Sequence, residues 1–208
     1  MSGNRIILRK EIMAAASVLF LMVSSAAYAA SLVVDDFEQG ASNKVGGRSN
    51  TYVMEPSRAL ALRVKDQAHG GTGSLMLKYD KKGTGGPHDS GGWCGYYTLL
   101  KSGSRYFDAT PYQSLTFWVK GASGGENFVL GMADQHWEEV GDSVKSEEIG
   151  TYLPSGKITT EWQKATVPLK TFLVDMTKIS SAAFCFEGSV FPDGAGKGTV
   201  YIDDLMLE

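Results

Sequence analysis

SLTFWVKG, residues 114–121, is the stretch that decides the fold class. Leu115, Phe117 and Val119 alternate with the residues between them, which places their side chains on one face of an extended strand. Gly121 ends the segment, as turn-forming residues commonly do. We find no long helical pattern elsewhere in the sequence, so this segment predicts a protein built from β-strands.

Outward from this segment, similar short runs are separated by glycine-rich stretches. Alternating or apolar runs recur at residues 60–64, 75–79, 128–133, 163–169, 183–187 and 199–207. Glycine accounts for 25 of the 208 residues, well above the usual share of about 7%, which indicates many turns and bulges between short strands. About nine such strands in one domain predict an all-β, two-sheet antiparallel jelly-roll sandwich.

The first 29 residues have the pattern of a secretory signal peptide. Basic side chains precede an apolar run from Met13 to Val23, and Ala27-Tyr28-Ala29 then provides a small-x-small cleavage site. A membrane span needs about 20 apolar residues, so the run is too short for one, although a retained anchor stays an alternative. We expect residues 1–29 to be removed on export, leaving residues 30–208 as a single periplasmic or extracellular domain.

The charge balance narrows the range of partners. The whole chain has a formal net charge of −3. Residues 1–29 contain three basic side chains and one acidic side chain, so residues 30–208 carry −5. This mild acidity argues against nucleic acid and against anionic membrane surfaces as partners.

Four segments in a fixed order point to a known family. They are residues 34–38 (VDDFE), 114–121 (SLTFWVKG), 162–169 (WQKATVPL) with Phe172, and 200–205 (VYIDDL). Together they resemble the galactose-binding-domain-like jelly rolls, notably the β-glucan-binding carbohydrate-binding modules, and the related complex-I intermediate-associated protein domain. The resemblance covers nearly all of residues 30–208. It implies a two-sheet sandwich, often with a structural calcium ion, that binds carbohydrate on a concave sheet or at loop tips.

Carboxylates near the two ends of the domain are the candidate ligands for that calcium. They are Asp36, Glu38, Asp203 and Asp204. Calcium takes six to eight oxygen ligands, and the first and last strands of a sandwich are often neighbours, so these carboxylates could meet around one ion. The alternative is that they cap strand ends through hydrogen bonds. The three histidines have no zinc-like spacing.

Sugar recognition needs flat rings that stack on sugar faces and fixed polar groups that reach hydroxyls. The candidate carbohydrate-binding residues are Tyr96, Asp134, His136, Trp137, Tyr152 and Glu187. Trp137 is the leading candidate for a stacking platform because charged residues flank it. These aromatic side chains could instead pack in the core or under loops, and for Trp118, on a strand with two apolar faces, we expect core packing.

Cys94 and Cys185 are the only two cysteines. Export permits a disulfide, and strand alternation places Cys94 on one face with Tyr96 and Cys185 on one face with Glu187. If the two strands are neighbours, a cross-strand bridge would lie beside the binding face. We expect this disulfide, and the alternative is a pair of buried thiols.

The sequence lacks two common catalytic signatures, His-Glu-x-x-His and a phosphate-binding loop. Asp134, Glu138 and Glu187 could supply a carboxylate pair for glycoside hydrolysis, but nothing in the sequence places them together. We therefore predict a secreted, non-catalytic domain that binds a neutral poly- or oligosaccharide of β-glucan type. The alternatives are a glycoside hydrolase or polysaccharide lyase with an unrecognised site, and a protein-interaction (assembly) domain.

Overall fold

The computed structural model describes residues 31–38, 40 and 42–208, so the predicted signal peptide lies outside the described residues. The strands in this part are β1 (Leu32–Asp35), β2 (Ser49–Val53), β3 (Arg58–Val64), β4 (Ser74–Lys81), β5 (Cys94–Leu99), β6 (Ser114–Gly121), β7 (Val129–Asp134), β8 (Val144–Glu148), β9 (Gln163–Pro168), β10 (Ile179–Phe186) and β11 (Gly196–Leu207). The helical elements are α1 (Gln135–Val140) and short 3-10 turns at Pro87–Asp89, Ile149–Tyr152, Leu169–Thr171, Met176–Lys178 and Gly188–Val190. Among these residues, no helix has the length and apolar character that crossing a membrane requires.

The strands form two antiparallel sheets. The six-stranded sheet has the order β3-β4-β11-β6-β9, with β1 also paired to β11. The five-stranded sheet has the order β2-β5-β10-β7-β8. Neighbours in both sheets are mostly distant in sequence, because the chain crosses repeatedly from one sheet to the other. The predicted two-sheet antiparallel jelly-roll sandwich is therefore confirmed.

Phenylalanine side chains from both sheets form the centre of the core. Phe117 on β6 meets Phe184 on β10 edge to face, with ring centroids 5.2 Å apart, and Phe128 packs on Phe184 in the same way at 5.6 Å. Nearby, Tyr79 on β4 stacks on Phe186 of β10 at 3.9 Å. Such ring pairs contribute about 0.5–1.5 kcal/mol beyond the apolar area they bury. They fix how the five-stranded sheet lies on the six-stranded sheet.

The burial of side chains on β6 follows the predicted alternation at Phe117 and Val119 but differs from our expectation at Trp118. Phe117 and Val119 are fully buried between the sheets, as predicted. Trp118, expected in the core, instead lies on the outer face of the six-stranded sheet and is only half-buried. The ring of His69, from the loop after β3, stacks on the Trp118 indole with centroids 3.8 Å apart and an interplanar angle of 14°. This loop covers the strand and accounts for its two apolar faces.

Candidate functional site

An open cleft of about 880 Å³ lies over the outer face of the five-stranded sheet. Side chains from β2, β5, β8 and β10 face it, and segments next to β5, β7 and β10 form its rims. A volume of this size is typical of small-ligand sites. A second pocket, of about 310 Å³, lies beside α1.

The cleft is deepest over the middle of the sheet, where the residues on its floor have small side chains. The register aligns Tyr97 on β5 with Ala183 on β10, and Ala183 with Gly131 on β7. Beside this row, the ring of Tyr52 lies across Gly95, where a Cβ atom would stand only 2.5 Å from the ring. Glycine is required there for the ring to lie flat. The floor therefore presents two tyrosine rings next to a centre of small side chains.

Trp93 forms one wall of the cleft and is 42% exposed. Gly92 precedes it with a φ of 68°, a left-handed conformation that glycine adopts without strain. A Cβ atom at Gly92 would lie 2.0 Å from the carbonyl oxygen of Met54. The backbone of Met54 also donates a hydrogen bond to the Trp93 carbonyl at 2.8 Å. The glycine thus lets the chain pass close to the end of β2 and holds Trp93 at the rim.

Helix α1 carries Trp137 on the opposite wall. Asp134 caps the helix, because its Oδ1 accepts a hydrogen bond from the backbone N–H of Trp137 at 3.0 Å. Its Oδ2 accepts a second hydrogen bond from the backbone N–H of Asp175 at 2.7 Å. Gly141, with a φ of 82°, ends the helix. This short capped helix fixes the position of Trp137 at the cleft.

Charged groups in the cleft neutralise one another. The ammonium of Lys145 lies 2.7 Å from a carboxylate oxygen of Asp142 and 3.4 Å from one of Glu187. Burial lowers the pKa of Lys145, but the hydrogen bond to Asp142 and the charge of Glu187 outweigh it, so the pKa is raised and the lysine stays charged. With Lys81, the cleft holds two positive and two negative groups. Its formal charge is therefore zero.

Lys81 holds one end of the cleft together. It is 4% exposed, and its ammonium donates hydrogen bonds to the carbonyl oxygens of Lys82 at 2.5 Å, Ser90 at 2.8 Å and Gly194 at 3.3 Å. These carbonyls belong to the segment before β5 and to the segment before β11. A buried charge is tolerated only when it is well hydrogen-bonded, and here three backbone oxygens provide that.

The structure brings together two of the predicted binding residues, Trp137 and Glu187, which both line the cleft. Tyr96 lies elsewhere. It is 5% exposed and points into the core, where its ring packs against Phe184 at 6.4 Å. Its neighbour Tyr97 faces the cleft instead, since successive side chains of a strand point to opposite faces.

The remaining three predicted residues do not line this cleft. Asp134 is 6% exposed and is used as the cap of α1. His136 is exposed and lines the smaller pocket beside α1. Tyr152 is half-buried in the turn after β8 and packs against the core.

Sequence reasoning missed Tyr52 and Lys145, which both line the cleft. Trp93 and Tyr97, in the segment that follows the glycine pair Gly91-Gly92, also line it. Alternation along this segment does not indicate which of the two adjacent tyrosines, Tyr96 or Tyr97, faces outward.

The carboxylates considered for hydrolysis have separate roles. Both oxygens of Asp134 accept backbone hydrogen bonds. Glu138 forms an ion pair with Lys101, which contributes to the lowered pKa of Glu138 even though burial, the largest influence, acts to raise it. Glu187 pairs with Lys145. Each carboxylate is thus committed to a structural contact.

The predicted disulfide is absent, and both cysteines are free buried thiols. Their strands are neighbours, as the prediction required, but the register pairs Cys94 with Phe186 and Cys185 with Gly95. Adjacent residues on a strand point to opposite faces, so Cys94 faces the core and Cys185 faces the cleft side. Burial raises the pKa of both thiols, to about 11 for Cys94 and about 12 for Cys185, which keeps them protonated and unreactive.

The four predicted calcium ligands lie near the pairing of β1 with β11, as expected for neighbouring first and last strands. Asp36 forms an ion pair with Lys44 at 3.0 Å. Glu38 accepts hydrogen bonds from the backbone N–H groups of Thr72 at 2.7 Å and Gly73 at 3.0 Å.

The other two carboxylates lie on the far side of the same loop. Asp203 is fully buried and accepts backbone hydrogen bonds from His69 at 2.8 Å, Gly70 at 3.1 Å and Asp204 at 2.8 Å. Asp204 lies 3.1 Å from the Nδ1 atom of His69. The backbone N–H groups around Asp203 stabilise its carboxylate, and ligand atoms of His69, Asp203 and Asp204 all lie within 4.8 Å of one another, close enough to hold a metal ion. Calcium binding stays a prediction.

Comparison with known structures finds the same sandwich in carbohydrate-binding modules. The family 30 module of a cellulosomal cellulase from Clostridium thermocellum superposes with a TM-score of 0.61 at 23% identity, covering 85% of this chain and 97% of that one. A family 11 module from the same organism gives a TM-score of 0.60 at 16% identity, covering 86% and 94%. That module is also known in complex with a β-1,3-1,4-mixed-linked tetrasaccharide. No curated protein matches the sequence.

A protein-family model gives the most direct assignment. The model for carbohydrate binding domain 30 matches residues 36–208, which is nearly the whole described domain. This match agrees with the predicted resemblance and confirms a non-catalytic carbohydrate-binding domain rather than an enzyme. The chain belongs to the carbohydrate binding domain 30 family.

Proposed function

We propose that this domain binds a neutral β-glucan chain in the cleft over the five-stranded sheet. The observation that carries the proposal is the pair of tryptophans, Trp93 and Trp137, which face one cleft from opposite walls. Flat rings at the sides of an open cleft suit a polymer of flat sugar rings, because each ring covers apolar C–H groups of the sugar.

The charge of the cleft supports a neutral ligand. Lys145 is already paired with Asp142 and Glu187, so an acidic sugar would have to compete with these carboxylates. The carboxylates of Asp142 and Glu187, each paired with Lys145 through one oxygen, keep acceptor sites for sugar hydroxyls. Hydrogen bonds to charged groups contribute about 1.5–3 kcal/mol each, which is enough to select sugar orientation.

The β-glucan class is supported by the similar family 11 module, which is known with a mixed-linked tetrasaccharide. Export supports the same function, since residues 1–29 have the pattern of a signal peptide. Outside the cell, the domain would meet polysaccharides directly.

Affinity electrophoresis through gels containing mixed-linkage β-glucan tests the proposal. The wild-type protein should be retarded, and Trp137→Ala should be retarded much less. Leu173→Ala is the matched control, because Leu173 is 85% exposed and lies outside the cleft. A reducing-end assay on the same samples should show no new chain ends. Free migration of folded wild-type protein in every neutral glucan gel would overturn the proposal.

A further inference from the structure

A second surface lies on the opposite side of the molecule, on the outer face of the six-stranded sheet. The register aligns side chains of successive strands in one row, which we call the lysine–aromatic row. It consists of Leu62, Met76, Tyr201, Lys120 and Trp162. Neighbouring strands lie about 4.8 Å apart, so the row extends about 19 Å across the sheet.

Lys120 lies between the two aromatic rings of this row. Its ammonium is 5.2 Å from the ring centroid of Trp162 and 5.4 Å from that of Tyr201, distances typical of cation–π contacts. It also donates a hydrogen bond to the side-chain oxygen of Gln67 at 2.5 Å. Within the described residues, Lys120 forms no ion pair with a carboxylate. Its charge is therefore available to a ligand.

The surroundings of the row are positively charged. Lys78 and Lys197 are exposed on the same face, and neither forms an ion pair within the described part of the chain. Two carboxylates of this sheet and its end are already occupied, Asp80 by Lys82 and Glu208 by Lys164. The face thus carries unpaired positive charge, although residues 30–208 together carry a net negative charge.

The row is also partly apolar and exposed. Leu62 is 46% exposed, and Leu60, two residues earlier and therefore on the same face of β3, is 47% exposed. Trp162 and Tyr201 are half-buried, so part of each ring stays accessible. A flat strip of rings and aliphatic side chains beside unpaired ammonium groups combines sugar stacking with recognition of negative charge.

We propose that the lysine–aromatic row is a second binding site, for an acidic polysaccharide that carries uronate carboxylates. Sugar faces stack on Trp162 and Tyr201, and a carboxylate accepts a hydrogen bond from the ammonium of Lys120. Lys78 and Lys197 attract the rest of the chain through their charge. This site is independent of the neutral cleft, which lies on the other sheet.

Isothermal titration of the protein with oligogalacturonate, at low and high salt, tests this site. Lys120→Gln should weaken binding about tenfold, because it removes a charge-assisted hydrogen bond. Trp162→Ala should weaken it as well by removing a stacking ring. Lys178→Gln is the matched control, since it removes the same charge from an exposed position beside the small pocket near α1.

Three results would overturn the inference. They are no binding of oligogalacturonate by the wild-type protein, equal weakening by the Lys120 and Lys178 substitutions, and self-association of the protein that Trp162→Ala abolishes. The second would show general charge attraction, and the third would assign the row to a second copy of the chain. Titration of the same samples with neutral β-glucan reports on the cleft separately, so failure of one site is distinguishable from failure of the other.

Discussion

Replacing Trp93 by alanine is the sharpest test of sugar binding in the cleft, because Trp93 is the most exposed tryptophan that lines it. The side chain is 42% exposed, so more than half of it already packs against the protein. The substitution removes the exposed ring face, while the backbone at the rim stays fixed by Gly92 and by the hydrogen bond from Met54 to the Trp93 carbonyl. We therefore expect a loss of binding with little change in the fold.

The magnitude follows from the exposed area. A fully buried tryptophan hides up to about 250 Å², so the exposed part of Trp93 amounts to about 100 Å². If a sugar ring covers half of it, the loss is about 1.2 kcal/mol at about 25 cal/mol per Å². The stacking geometry adds about 0.5–1.5 kcal/mol. The sum, about 2 kcal/mol, corresponds to a rise in Kd of about 30-fold.

Isothermal titration with a β-1,3-1,4-linked oligosaccharide measures this change. Leu173→Ala serves as the control for loss of an exposed apolar side chain away from the cleft. Thermal unfolding of both variants checks that the fold is intact. A folded Trp93→Ala protein whose Kd rises by less than about threefold would refute the reasoning.

Four further outcomes are expected. Thiol counting on denatured, unreduced protein should find two free thiols, at Cys94 and Cys185, and a bridge would contradict the register described above. Hydrogen bonds from Thr72 lower the pKa of Glu38 below its ordinary value of 4.5. Glu38 therefore contributes stability that is present above that pH and is lost as the pH falls through the lowered pKa. The Glu38→Gln variant should lose this pH dependence, so its melting temperature should fall less than that of the wild-type protein as the pH is lowered. Equal falls in both proteins would argue against this. Chelation should lower the melting temperature if calcium binds the native state, whereas coincident curves would count against a structural ion. The intact mass of the exported protein should show a first residue at or near Ala30, and retention of residues 1–29 would exclude the predicted cleavage.

The all-β sandwich could be predicted because apolar residues alternate clearly with other residues along single strands. Phe117 and Val119 are buried as expected. The error at Trp118 has a physical cause, because the His69 loop that covers it comes from a distant part of the sequence. Contacts of this kind depend on tertiary packing, which no local pattern contains.

The binding face was harder to predict for the same reason. Alternation shows that Tyr96 and Tyr97 lie on opposite faces but not which face meets the core. Phe184, opposite Tyr96 on β10, decides this by packing inward. The same ambiguity made the disulfide between Cys94 and Cys185 seem possible. Only the strand register separates their faces.

Trp137, predicted from the sequence to be a sugar-stacking residue, lines the cleft, but its local structure differs from the one that the sequence indicated. The sequence indicated a loop after an apparent strand, whereas the structure has a helix capped by Asp134 and ended by Gly141. The cap residue was itself mistaken for a ligand-binding group. A short polar residue before a helix is most often a cap, and the short helix gave too weak a pattern to reveal it.

Chemical-shift mapping with a β-1,3-1,4-linked tetrasaccharide tests the central claim most directly, because it locates the ligand on the protein without any substitution. The account predicts that the largest amide shifts fall on β5, β8 and β10, at residues such as Tyr97, Lys145 and Ala183, and at the indole N–H groups of Trp93 and Trp137. Shifts confined to the six-stranded sheet, or none at saturating ligand, would contradict it.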